Sequence, residues 1–218
     1  MIRGAIFDAD GTLIDSMPIW HDVGARYLRS IGIEEIPPNL AEHYFNMGLR
    51  EAATDMKDMF HLSQSVDTIK QGFMDIVENF YRNECPMKPG AKDFLQELHR
   101  RGIPFVLATA NDATMARYAL EHNGVLSLFQ DTISCEDFNT TKKEPLIYQK
   151  AAELLGTDPE ESAVFEDILL AVDTAHSAGF YTVAVEDAAS VKDKPAIQRT
   201  ADCYISDYSQ VDLGRFTR

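Results

Sequence analysis

Ala5-Ile6-Phe7-Asp8-Ala9-Asp10-Gly11-Thr12 runs a short apolar stretch into an acidic turn that contains a glycine. Three apolar residues ahead of a turn read as a buried strand. In extended chain, residues i and i+2 face the same side, so Asp8 and Asp10 are expected to point together with Ala9 turned away. Two carboxylates that close repel, and one stays protonated unless a cation lies between them. Gly11 lets the backbone turn tightly and approach another group closely.

Downstream, a polar–apolar helical pattern begins near Met17 and continues to about Arg82, broken at Pro37-Pro38-Asn39 and at Gly48. It holds no convincing strand and reads as about four helices. Pro86-Met87-Lys88-Pro89-Gly90 is a linker signal, and beyond it the pattern alternates. Residues 91–101 read as a helix with Phe94, Leu95 and Leu98 on one face, Arg100 and Arg101 in its last turn, and Gly102 as its stop. Residues 104–109 read as a buried strand, about 113–122 as a helix, and 132–134 as a short strand. Pro145 opens a helix that Gly156 closes. Ala163-Val164-Phe165 is a strand ending in Glu166-Asp167, a helix follows to Gly179, and residues 181–185 and 203–205 are the last strands. The tail from Ser206 reads as polar and peripheral.

Strands alternating with helices predict an α/β fold: a doubly wound, mostly parallel, Rossmann-like sheet. The expected division is a core of residues 1–14 and 87–218, with a helical segment of residues 15–86 inserted after the first strand.

The 218 residues carry a formal net charge of −15, which disfavours nucleic acid or an anionic membrane as partner. Cys85, Cys135 and Cys203 are far apart and form no CxxC pair, so neither a disulfide framework nor a zinc site is expected. The opening residues lack a secretory pattern, and no apolar run is long enough to span a bilayer. The expectation is a cytoplasmic protein, monomeric by default.

Ligands of open α/β sheets bind beyond the carboxyl ends of the strands, and the polar residues of this chain fall there repeatedly. Asp8 and Asp10 follow the first strand, Thr109 and Asn111 end the second, and Glu166 and Asp167 end another. Lys142 and Lys143 precede a helix start. If the strand order brings these ends together, they form a cluster of several carboxylates, a hydroxyl and an ammonium. Such an oxygen-rich acidic site suits a hard divalent ion such as Mg²⁺.

On these four motifs the sequence resembles the haloacid dehalogenase-like hydrolase superfamily, in its branch of small phosphatases and phosphohexose mutases with a helical cap after the first motif. The motifs are Asp8-Ala9-Asp10-Gly11-Thr12, Thr109, Lys142 in Lys142-Lys143-Glu144-Pro145, and Phe165-Glu166-Asp167. The resemblance covers essentially the whole chain. It implies that Asp8 attacks phosphorus to form an aspartyl-phosphate. Asp10 then protonates the leaving alcohol and later deprotonates the water. Asp8, Asp167 and the Asp10 carbonyl oxygen would bind Mg²⁺, with Glu166 behind them. Thr109 would hold a phosphoryl oxygen, and Lys142, rather than Lys143, would neutralise charge. The implied partner is a small phosphorylated metabolite, with Trp20, Arg50 and Asn111 as candidate substrate contacts.

Two positions depart from the family pattern. Ile168 and Ala171 stand where Ser and Gly are frequent, so the hydrogen bonding that supports the last motif is expected to differ. Trp20 stands where the mutases usually carry a His, and Thr12 is the phosphatase-like choice, which favours hydrolysis over a phosphohexomutase. A metal-independent dehalogenase would need neither Asp10 nor Asp167. A non-catalytic binding protein would not need the full set.

Overall fold

The computed structural model of the chain describes residues 1–44, 47–110 and 112–217. They fall into two compact units, Met1–Asp15 with Cys85–Arg218, and Ser16–Glu84. Among the described residues no helix is long and apolar enough to cross a membrane.

Strand β1 (Gly4–Phe7) opens the first unit, and the chain then passes into the helical one. There α1 (Met17–Ser30), α2 (Leu40–Tyr44), α3 (Leu49–Met59) and α4 (Val66–Asn83) follow in turn. Pro18 stands in the first turn of α1, where a missing N–H costs nothing. The Ser65 hydroxyl accepts the Thr68 N–H at 3.1 Å and caps α4. Ile19, Val23 and Tyr27 on α1 and Ile69, Phe73, Val77 and Phe80 on α4 recur at helical spacing and are buried. The Tyr27 and Phe73 rings meet edge to face, 5.2 Å apart. A Cβ at Gly72 would overlap the Tyr27 ring, so the glycine sets how closely α1 and α4 approach.

The first unit continues with α5 (Ala91–Arg100), β2 (Phe105–Thr109), α6 (Thr114–His122), β3 (Asp131–Ser134), α7 (Leu146–Leu155), β4 (Ser162–Glu166), α8 (Leu169–Ser177), β5 (Tyr181–Val185), α9 (Lys194–Thr200) and β6 (Cys203–Ile205). The six strands form one sheet in the order β3-β2-β1-β4-β5-β6, and every pairing is parallel. This is the doubly wound arrangement expected from the alternation of elements.

The two faces of β1 enter different cores, as the two-residue strand period requires. Ile6 joins Val106, Ala108, Val164, Tyr148 and Phe180 on the α7 side. Phe7 stacks on Phe165 at 4.4 Å between ring centroids and meets Phe94 of α5 edge-on at 6.2 Å.

Two features differ from the expected arrangement. Residues 194–200 form α9, which the alternation of apolar residues did not mark. It buries one side chain, Ile197, against Val172 and Ala184. The C-terminal tail is not peripheral. Tyr208, Val211 and Phe216 are buried, and Tyr208 stacks on Phe165 at 5.7 Å. The backbone of Ile2 exchanges hydrogen bonds with Arg215 and Thr217, each 2.8 Å long. Isolated apolar residues in a polar run carry no period, so their burial leaves no trace in the pattern.

Candidate active site

The strand order reverses at β1: β2 and β3 lie on one side of it, β4, β5 and β6 on the other. The crevice at such a reversal, beyond the carboxyl ends of the strands, is where open α/β sheets bind ligands. Phe7 is in register with Phe165, and the Asp8 N–H donates to the Phe165 carbonyl at 3.1 Å. Asp8 and Asp167 therefore leave neighbouring strands side by side. Thr109 closes β2, on the other flank of β1, and is buried.

After β1 the chain folds into a tight turn. The Ala9 carbonyl accepts from the N–H groups of Thr12, Leu13 and Ile14 at 2.9 to 3.2 Å. Gly11 has φ +82°, and a Cβ there would stand 2.6 Å from Asp167 Oδ2. The glycine thus makes room for the Asp167 carboxylate. The Thr12 hydroxyl donates to Asp167 Oδ1 at 3.1 Å.

Asp8, Glu166 and Asp167 each offer an oxygen within 4.8 Å of the others, and all three residues are buried. The buried Lys142 ammonium bridges two of them, donating to Asp8 Oδ1 and Glu166 Oε1. Burial opposes the charge on Lys142, but the two carboxylates outweigh it and hold the amine protonated. Lys143 is exposed. Burial, with the nearby Asp8 charge against the partly offsetting Lys142, pushes Glu166 up to about 7. Burial and the charges of Asp8 and Glu166 push Asp167 well above the usual carboxylate range.

Three observations test whether a metal ion fits here. The donor set is carboxylate oxygen, the chemistry of Mg²⁺ and Ca²⁺. Glu166 Oε2 is buried without a hydrogen-bond partner, a state that is costly unless something meets that oxygen. Of four buried carboxylates, Asp8 and Glu166 pair with the Lys142 ammonium and Asp187 with that of Lys88, and Asp167 is the fourth. Fully ionised, these groups leave two uncompensated negative charges, the complement of one divalent cation. The residues fit such an ion. Glu166, expected behind the ligands, stands within the acidic cluster. The ligand expected from Asp10 is its carbonyl oxygen, and the half-buried Asp10 lies in the turn that β1 feeds.

Further polar groups here were not singled out from sequence. The Tyr148 hydroxyl, from α7, donates to Glu166 Oε1 at 2.8 Å. The Tyr208 hydroxyl donates to the Thr12 carbonyl at 3.1 Å. The Lys88 ammonium donates to Asp187 Oδ2 at 2.6 Å and to the Glu186 carbonyl at 3.2 Å. The rule that picks out Asp8 and Asp167 applies equally to Asp187, which follows β5. Tyr148 and Tyr208 carry no comparable signal, because a buried tyrosine reads as core.

Trp20 and Arg50 belong to the helical unit. Trp20 is 38% exposed and borders a cavity of about 90 Å³ with Tyr44, Leu49 and Phe73. Arg50 forms an exposed ion pair with Asp67 at 2.6 Å. Asn111 lies outside the described residues.

A family model described as haloacid dehalogenase-like hydrolase matches residues 2–179. Hexitol phosphatase A of Escherichia coli (strain K12) is 30% identical, over 84% of this chain and 82% of that protein. Validoxylamine A 7'-phosphate phosphatase of Streptomyces hygroscopicus subsp. limoneus is 26% identical, over 97% and 96%. Among solved structures, CbbY from Rhodobacter sphaeroides in complex with phosphate superposes with a TM-score of 0.71 at 19% identity, covering 99% of each chain. The β-phosphoglucomutase of Clostridium difficile superposes with 0.63 at 18%, covering 98% and 95%. At those identities the two structures speak for the fold alone. The family match and the phosphatase relatives agree on a phosphoric monoester hydrolase, and the chain belongs to the haloacid dehalogenase-like hydrolase family.

Proposed function

We propose that the protein is a Mg²⁺-dependent phosphatase that hydrolyses a small phosphorylated metabolite, of the sugar- or polyol-phosphate class, in two steps through Asp8. The observation that carries this reading is the buried contact of Lys142 with Asp8 and Glu166, beside Asp167, at the reversal point of the sheet. The activities that name the sequence relatives, hexitol phosphatase and validoxylamine A 7'-phosphate phosphatase, support the substrate class.

In the first step an Asp8 carboxylate oxygen attacks phosphorus and the bond to the leaving oxygen breaks. Asp10 delivers its proton to that oxygen, giving the free alcohol. In the second step water attacks the phosphorylated Asp8 and gives a proton to Asp10. Inorganic phosphate leaves, and the Asp8 carboxylate is restored. Lys142 neutralises charge on Asp8 and on the phosphoryl group, and Thr109 binds a phosphoryl oxygen. Asp8, Glu166, Asp167 and the Asp10 carbonyl would hold Mg²⁺, whose charge offsets that of the phosphoryl oxygens. We assign Ser16–Glu84 the role of a cap that discriminates among substrates, with Trp20 and Arg50 as contacts. A monomer in the cytoplasm accords with three free thiols.

The test is release of inorganic phosphate from aryl phosphates and from a panel of sugar and polyol phosphates with Mg²⁺. Asp8→Asn should abolish it. Asp10→Ala should cost about 10²–10⁴-fold on alkyl phosphates and far less on aryl phosphates with good leaving groups. Equal losses on both would remove Asp10 as the acid. Interconversion of sugar phosphates without phosphate release would replace the hydrolytic reading.

A further inference from the structure

We propose that Lys88 and Asp187 are positioning residues of this site: their ion pair clamps the turn that carries Asp10 and Gly11 against Asp167. The proposal rests on the phosphatase reading for its kinetic consequences, but its geometry stands independently.

Lys88 joins three loops. Its main-chain N–H donates to the Leu13 carbonyl at 2.8 Å, next to an antiparallel bridge between Ile14 and Met87. That ties the linker before α5 to the turn after β1. Its ammonium crosses to the loop after β5, donating to Asp187 Oδ2 at 2.6 Å and to the Glu186 carbonyl at 3.2 Å. Asp187 is itself oriented, since its Oδ1 accepts the Ala189 N–H at 2.8 Å. The Asp187 carboxylate packs on the turn, its Cγ standing 3.3 Å from where a Gly11 Cβ would lie. The other neighbour of that position is the Asp167 carboxylate. Gly11 is therefore held between one carboxylate of the metal cluster and one that is paired with Lys88.

The burial of the pair argues that its position matters. The Lys88 side chain is 10% exposed and that of Asp187 2%. Removing one partner of a buried pair strands the other charge, whereas an apolar replacement of both strands none. A pair that merely filled space would have no reason to lie between the linker, the nucleophile's turn and the loop after β5. Movement of that turn displaces both the Asp10 carboxyl group and the Asp10 carbonyl oxygen. A misplacement of about 1 Å costs on the order of 10²-fold in rate.

The experiment compares Lys88→Met, Asp187→Asn and the double variant with the wild-type full-length protein. Turnover of an aryl phosphate is measured against Mg²⁺ concentration, and Mn²⁺ affinity is measured by titration calorimetry without substrate. Each single variant is expected to lose about 10–100-fold in kcat, with KM for the aryl phosphate changed by less than about threefold. Both should weaken Mn²⁺ binding, and the double variant should lose no more than the worse single one, because the two residues act through one contact. If a single variant fails to fold, the double variant, which leaves no buried charge unpaired, carries the same test.

Unchanged kcat with only a lowered melting temperature would overturn the proposal. So would losses that add in the double variant. Opposite shifts, with Asp187→Asn weakening and Lys88→Met tightening Mn²⁺ binding, would also overturn it, because they mark a purely electrostatic effect. Should the wild type hydrolyse no phosphate ester, the phosphatase reading fails, and the calorimetric arm still decides the clamp.

Discussion

Glu166 holds its two carboxylate oxygens in unlike surroundings. Oε1 accepts from both the Lys142 ammonium and the Tyr148 hydroxyl, while Oε2 is buried and meets no donor. Donors on one oxygen fix the plane of the carboxylate and leave the other free to meet a cation, which is how outer partners orient metal ligands. Tyr148→Phe removes one donor and keeps the ring, which packs against Phe180 with centroids 6.1 Å apart. The variant should need about 10–100-fold more Mg²⁺ for half-maximal turnover and should bind Mn²⁺ correspondingly more weakly in calorimetry. An unchanged Mn²⁺ affinity would show that Lys142 alone orients Glu166. At this scale the sequence was legible where carboxylates end an apolar run, as at Asp8 and Asp167, whereas Lys142 lies in a polar stretch and was marked only by its place before a helix start and by the family resemblance. It was silent at Tyr148 and Lys88, where one residue type serves core, linker and site alike.

Helix α8 begins directly after Asp167, and Ile168 is its N-cap, with φ −100°, ψ 140° and no side-chain hydrogen bond. The first N–H groups of a helix have no partner within it, and Ser, Thr, Asp or Asn at this position supplies one. Ile168 is 41% exposed, so little burial is lost by replacing it. Ile168→Ser should stabilise the protein by about 0.5–2 kcal/mol. Each kcal/mol raises the melting temperature by about 2–4 °C in a chain of this size, readable by calorimetry. No rise would mean those N–H groups already have partners. Other elements were readable to different degrees for equally physical reasons. β2, expected at 104–109, is Phe105–Thr109, and α7 runs between Pro145 and Gly156 as those residues dictate. α9 and the tail escaped because each buries residues singly. Ile197, Tyr208 and Phe216 are held by what packs on them, and nothing in their immediate neighbours announces it.

Across the whole molecule, a net charge of −15 coexists with an acidic cluster that the fold shields from solvent. Without a cation, the folded state holds the proton of Glu166 up to about 7, against an ordinary value of 4.5, and Asp167 shifts the same way. Between these values the folded protein binds more protons than the unfolded one, so its stability falls as pH rises. The contribution is whole below about pH 4.5 and is lost by about pH 7. A divalent cation holds the carboxylates ionised and offsets their repulsion, so it opposes that loss most where they would otherwise be charged. In chelator, the melting temperature should therefore decline between pH 4.5 and 7. Mg²⁺ at about 100 times its dissociation constant stabilises by about 2.7 kcal/mol. At pH 7.5 that corresponds to a rise of about 5–10 °C, with a smaller rise at pH 5, where protons compete for the same oxygens. Calorimetry is the suitable measurement, because the single tryptophan, Trp20, lies in the helical unit and not in the unit that carries the cluster. A Mg²⁺ effect equal at pH 5 and 7.5 would mean that the cation binds away from the Asp8, Glu166 and Asp167 cluster.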